Sequence, residues 1–235
     1  MKHSFQTANG ALLIGLGCYV IFWIALAFHP VDRGDWLLEN LLVLVAAIVL
    51  GVTFRRFQFS NASYALILIF LAIHTVGAHY TYAKVPAGFW VQHWFHLQRN
   101  HYDRLIHFSF GLLLLYPMRD LLLNAAGAHK RWATWLAVAA LAALSSFFEI
   151  VEAVVAQMVR PDLGAAYLGT QGDIWDAQKD MAMATLGAVI SMCVVAFINW
   201  KFDKNFGAEL RDSLTPRDIG PLGEEKLRQL LGNQA

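Results

Sequence analysis

The stretch GTQGDIWDAQKDMAMATLGAVI, residues 169–190, places three aspartates, Asp173, Asp176 and Asp180, at the entrance of an otherwise apolar run. On a helix that begins at or before Asp173, the three side chains fall within about 60° of one another at 100° per residue. Other acids and histidines pair at helical spacing. Asp103 and His107 are four apart, and Glu149 and Glu152 are three apart with Ser145 a turn earlier. His74 and His79, five apart, diverge by about 140° on a regular helix, although Gly77 between them permits a local break. Carboxylates joined by one or two histidines suit Mg²⁺, Mn²⁺, Fe²⁺ or Zn²⁺. Such an ion polarises a phosphoryl or carbonyl oxygen, or lowers the pKa of a bound water.

These residues sit in a chain that must house them in a membrane. Of its 235 residues 57% are hydrophobic and only 15% charged, whereas a soluble domain carries about a quarter charged residues. A net charge of +1 without a visible basic patch gives no reason to expect a nucleic-acid partner, and none is expected. Cys18 and Cys193 both fall inside apolar segments and read as packing residues rather than a disulfide framework.

Apolar runs of about 20 residues, the length a bilayer requires, occur at 11–28, 36–53, 62–83, 104–123, 132–157 and 177–199. The first has no small-residue cleavage site before FHPVDRGD and reads as a retained helix. The expected fold is all-α: a polytopic membrane bundle of about six transmembrane helices spanning residues 1–200. A short, polar, soluble tail of residues 201–235 follows, with a helix at 224–231. Twelve of the 18 Lys and Arg fall on the side shared by both termini. Cytoplasmic loops carry the excess of such residues, so both termini are expected in the cytoplasm.

With that orientation, HTVGAHYTYAKVP, RNHYDRLIHF, FFEIVEA and the aspartate stretch converge at the outer ends of the third to sixth spans. An ionised side chain inside a span costs at least about 2.5–3.5 kcal/mol, so such residues face a bundle interior, pair, or bind an ion. The expected metal ligands are Asp173, Asp176, Glu149 and His107, with Asp103, His74 and His79 as further candidates. Asp180 and Glu152 would be ligands or general bases. Arg104 or Arg99 would clamp an anion, and Gln171 and Gln178 would orient a headgroup.

Plainer explanations compete at each position. Helix capping accounts for Asp173 or Asp176 but poorly for Asp180. A salt bridge with Arg99 or Arg104 accounts for Asp103, and a hydrogen-bonded core histidine for His107. His93, His96 and His101 lie in FWVQHWFHLQRNHY, an aromatic segment suited to the membrane surface.

HTVGAHYTYAKVP, RNHYDRLIHFSFGLLL, FFEIVEA and YLGTQGDIWDAQKDMAMATLGA together resemble the YjdF-like family of bacterial inner-membrane proteins, over residues ~10–200. The resemblance implies a multi-pass inner-membrane protein and brings no activity with it. More distantly, the order D---HF--G-LLL, a glutamate-bearing helix end, then D---DM--ATLGA is similar to VanZ-like membrane proteins.

Two functions follow from the residues. One is a metal-dependent hydrolase or transferase acting on a membrane lipid or lipid-linked small molecule at the outer face. The other is a cation- or proton-coupled transporter using the same carboxylates, against which stand the apolar inner halves WATWLAVAALAAL and VISMCVVAF.

Overall fold

A computed structural model describes residues 10–203 together with residues 228 and 231. Every regular element among them is helical: α1 (Gly10–Ala27), α2 (Arg33–Thr53), α3 (Asn61–Tyr80), α4 (Pro86–Trp94), α5 (Tyr102–Asn124), α6 (Lys130–Met158), α7 (Pro161–Leu168) and α8 (Asp176–Phe202). Six of these are long and apolar enough to cross a membrane. They match the six expected spans to within a few residues at each end. The two short helices, α4 and α7, each begin with proline at the first turn, where its missing N–H is no loss. Helix α4 overlaps the start of the aromatic segment expected at the membrane surface, from Phe89 to Trp94.

The chain divides into two compact units, one ending at Phe197 and the other beginning at Ile198. Apart from residues 201–203, 228 and 231, the expected polar tail lies outside the described residues. Within the first unit the bundle has two small cores. Phe70, Leu71, Tyr82, Val85, Tyr102 and Ile106 join α3, α5 and the loop after α3. Leu115, Ala137, Leu141 and Ala188 join α5, α6 and α8.

Large apolar side chains elsewhere on the spans face outward, while Asp35, Glu39, His74, His107, Asp176 and Asp180 are buried. That inversion suits a solvent of lipid tails, in which polar groups are driven to the bundle interior. Cys18 and Cys193 are free and exposed. They therefore do not fill the packing role expected of them: each falls on the outward surface of its helix.

Consecutive spans run antiparallel, so the starts of α2, α5 and α8 and the ends of α3 and α6 share one end of the bundle. Asp32 caps α2 by accepting from the backbone N–H of Gly34 and Asp35 at 2.7 and 3.1 Å. Helix α3 stops where Thr81 and Tyr82 take left-handed backbone angles, φ 56° and 46°. The Tyr82 ring then folds back over Gly77, where a Cβ would stand 2.7 Å from it. Gly77 thus serves as the seat of Tyr82 rather than as the break in α3 that the histidine spacing called for.

Helices α5 and α8 meet through glycines. A Cβ on Gly111 would lie 1.8 Å from the Ala184 carbonyl oxygen, and one on Gly187 would lie 2.1 Å from that of Phe108. Small residues let two membrane helices approach backbone to backbone. The consequence is felt two turns away, where α5 and α8 carry the acids.

Candidate functional site

The three aspartates do not share one role. Gln171 and Gly172 turn the chain at φ 48° and 86°, so α8 starts only at Asp176 and Asp173 lies ahead of it. This corrects the single helical face expected of the three. Asp173 instead folds into an Asx-type turn, its Oδ1 accepting from the Trp175 N–H at 3.1 Å.

Asp173 and Asp176 belong to a polar layer at the helix ends. Arg99 donates to Asp176, and to the carbonyls of Thr170 at 2.8 Å and Gly169 at 3.2 Å. Arg104 donates to Asp173, and to Asp176 at 3.3 Å. Lys179 donates to both Asp173 oxygens, at 3.0 and 2.7 Å. The bonds from Lys179, the Trp175 N–H and Arg104 hold the Asp173 carboxyl well below the usual carboxylate range. His101 is pushed down by burial and by the charges of Arg104 and Arg99, which suits the contact at 3.2 Å between its Nδ1 and Arg104. Gln171 clamps the loop, its amide bonding both the N–H and the carbonyl of Asn100 at 3.1 and 2.9 Å. Gln178, His93 and His96 are exposed.

One prediction arises from this layer. Asp173→Asn is expected to be mild, because asparagine keeps the acceptor that closes the turn. Asp176→Asn is expected to cost clearly more, because the buried Arg99 then keeps only the Asp173 carboxylate, 3.8 Å away, as counter-ion. Thermal melting in detergent distinguishes the two, and equal losses would refute this division.

Asp180 stands one turn deeper, in a second layer. One ligand atom each from Asp103, His107 and Asp180 lies within 4.8 Å of the others. His107 Nε2 is 3.8 Å from Asp103 Oδ1 and 3.3 Å from Glu149 Oε1. Asp180 is only 2% exposed, yet among the described residues its Oδ1 has no hydrogen-bond partner, and neither does the buried Ser145 Oγ. A buried carboxylate oxygen without a donor costs free energy unless an ion or a proton meets it. The donor set, two aspartates and an imidazole with Glu149 beside them, fits a hard to borderline divalent cation.

The remaining expected ligands are placed elsewhere. His74 is buried with its Nε2 3.2 Å from the Glu39 carbonyl oxygen and its Nδ1 2.5 Å from the Tyr82 hydroxyl. A carbonyl can only accept, so Nε2 carries the proton and Nδ1 accepts from Tyr82. Neither nitrogen is left for a metal. Burial raises the Tyr82 hydroxyl well above its ordinary range, which keeps that proton in place. His79 bonds the Leu26 carbonyl at 2.8 Å and ties α3 to the end of α1.

Sequence reasoning missed Asp35 and Glu39 of α2, only 1% and 4% exposed. Both Asp35 oxygens lack hydrogen-bond partners among the described residues. Glu39 lines the same cavity as Asp103 and Glu152. The signal was present in RGDWLLENLL, where two acids four apart share a face of an apolar helix.

Asp103 and His107 of the second layer border a cavity of about 440 Å³ lined by α2, α3, α5, α6 and α7 together with Tyr82. Its polar wall comprises Glu39, His74, Tyr82, Asp103, His107 and Glu152, and the rest is aliphatic and aromatic apart from Ser145 and Tyr167. The volume falls in the range of small-molecule sites, roughly 300–1,000 Å³.

Six apolar spans closing around a buried carboxylate–histidine cluster define a polytopic helical membrane protein. The chain belongs to the family described as predicted membrane protein (DUF2238), whose model matches residues 11–201. It is 35% identical over 191 residues to the inner membrane protein YjdF of Escherichia coli (strain K12), which covers 80% of this chain and 89% of that protein. No solved structure matches the chain. Six spans and an inner-membrane relative support a multi-pass inner membrane protein.

Proposed function

We propose that Asp103, His107 and Asp180, with Glu149 beside them, hold a divalent cation that serves hydrolysis or group transfer on a membrane lipid or lipid-linked substrate. The observation that carries this reading is the convergence of three ligand atoms within 4.8 Å, one of the three residues being a buried aspartate with an unpartnered oxygen. Bound there, the ion would polarise a phosphoryl or carbonyl oxygen or acidify a water.

The chain's own residues supply the rest. Glu152, which lines the same cavity as Asp103 and His107, would take a proton. Tyr82 gives its only proton to His74, so its oxygen can act towards the cavity only as an acceptor. Asp173 and Asp176 are withdrawn from the ligand set: they neutralise Arg99 and Arg104 at the helix ends. The anion-clamp role of those arginines is correspondingly reduced.

Reconstituted protein with Mn²⁺ or Zn²⁺ is expected to release headgroup or acyl product from a phospholipid mixture, and Asp180→Asn to release none. Metal bound without turnover on any lipid tried would sink the hydrolase reading. A metal-free, inactive protein would favour the transport alternative.

The same cluster is proposed to face outward, both termini being cytoplasmic, on the Lys/Arg distribution. A C-terminal reporter that works only in the cytoplasm should give signal. A silent reporter on inserted protein reverses the orientation.

A further inference from the structure

We infer that the cavity is a lateral port through which one hydrocarbon chain of a membrane phospholipid enters between α2 and α6, bringing its phosphoryl end to the carboxylate–histidine cluster. This rests on the functional reading above and adds to it the route of entry and the class of substrate. Three observations carry it.

The first is where the mouth opens. Leu41 and Val45 of α2 and Leu144 and Phe147 of α6 line the cavity, and each is also largely exposed, at 54%, 55%, 46% and 62%. All four belong to helices long and apolar enough to span the membrane, well inside their ends. What they are exposed to is therefore the acyl region of the bilayer rather than water. A water-soluble substrate would have to cross that region to reach the mouth.

The second is the gradient along the cavity. Its acids and His107 belong to the last two to three turns of their spans, at the end where α2, α5 and α8 start. From there the lining becomes apolar: Leu42 and Val45 follow Glu39 on α2, Phe110 follows His107 on α5, and Phe148 and Leu144 precede Glu152 on α6. Glu152 to Leu144 is eight residues, about 12 Å of helix rise at 1.5 Å per residue. The cavity thus runs from interface depth towards the middle of the bilayer, polar end outermost. A phospholipid presents the same order of groups along the same axis.

The third is the ion-paired layer at the helix ends beside the cluster. Arg99 bridges Asp176 to the carbonyls of Thr170 and Gly169, Arg104 bridges Asp173 and Asp176, and Gln171 pins the loop to Asn100. This ion-paired layer lies at the α8 end of the Asp103–His107–Asp180 cluster.

The test uses full-length protein in phosphatidylethanolamine liposomes containing phosphatidylglycerol with a diazirine midway along one acyl chain. After photolysis, labelled peptides are mapped by mass spectrometry and metal content is measured on the same sample. Labelling is expected to concentrate on residues 41–45 and 144–151, at least about threefold per residue above the outward faces of the other spans. To close the port without disturbing folding, a single cysteine is placed at Leu41 or at Phe147 in a Cys18→Ser, Cys193→Ser background and modified with a bulky maleimide after purification. Modification should abolish the concentrated labelling and leave metal content unchanged.

Even labelling over all outward faces, or labelling that survives modification at both positions, overturns the port. Metal without concentrated labelling overturns the port and leaves the metal centre standing. Concentrated labelling in a protein that holds no metal does the reverse.

Discussion

Replacing Asp180 by asparagine is expected to weaken divalent-metal binding about 100-fold, the upper end of what loss of one supporting partner costs a metal site. It is also expected to raise the melting temperature of the metal-free protein. Both effects come from one oxygen. Asp180 is 2% exposed, and its Oδ1 has no donor among the described residues. In the absence of a cation, folding must bury that charge uncompensated or protonate it, and either costs free energy. Asparagine removes the charge and keeps the shape. In the presence of metal the order reverses. At a free concentration of about 100 times the wild-type Kd, the ion stabilises the wild type by ~2.7 kcal/mol, and a variant bound 100-fold more weakly by only ~0.4 kcal/mol. Melting curves with chelator and with Mn²⁺ should therefore cross in rank. A variant that keeps wild-type metal content removes the metal centre, as does a wild type whose melting ignores Mg²⁺, Mn²⁺ and Zn²⁺. The acids would then be held together by shared protons, and the transport reading would take its place.

How much of this was legible in the sequence depended on how local the determinant was. A span is announced by its own length and apolarity, so six spans could be placed from composition alone, and the structure moves their ends by only a few residues. The Asp103–His107 pair was legible for the same reason, being one turn apart on one helix. The partner of each aspartate was not. Arg99 and Asp176 are 77 positions apart, and nothing local says that the arginine turns towards α8 rather than towards its neighbour Asp103. The phase of the three aspartates failed on a single backbone detail. Left-handed angles at Gln171 and Gly172 delay the helix to Asp176, a choice that Gly172 permits but does not announce. Asp35 and Glu39 were passed over although their spacing matched that of Asp103 and His107. An acid in a first turn is favoured by the helix dipole whether or not it is buried, so Asp35 does not announce the burial of Glu39 one turn further on. The cavity itself was beyond reach, because it is made by the separation of α2 from α6, and no residue carries a mark of what it fails to touch.

Substituting alanine for Gly187 is expected to damage a site it does not touch. Gly187 is seven residues beyond Asp180 on α8, about 10 Å along the axis, and points at α5 rather than at the cavity. A single Cβ there would stand 2.1 Å from the Phe108 carbonyl oxygen and 2.8 Å from the Leu112 nitrogen. Both obstacles are main chain on a hydrogen-bonded helix and cannot swing aside, so the two helices must separate. Overpacking of this kind costs about 1–3 kcal/mol. The separation also carries Asp180 away from Asp103 and His107, whose ligand atoms meet only because α5 and α8 lie backbone to backbone. Metal affinity should fall about tenfold or more, with every ligand still present. Gly51 of α2 is the control: a Cβ there meets nothing within 4 Å, and alanine for glycine inside a helix favours the helix by roughly 0.5–1 kcal/mol. Gly51→Ala should therefore melt at or above the wild-type temperature and bind metal normally. If Gly187→Ala loses stability but keeps wild-type metal affinity, the cluster is positioned by something other than the α5–α8 contact. If it loses neither, the close approach of the two helices is not what the sequence specifies.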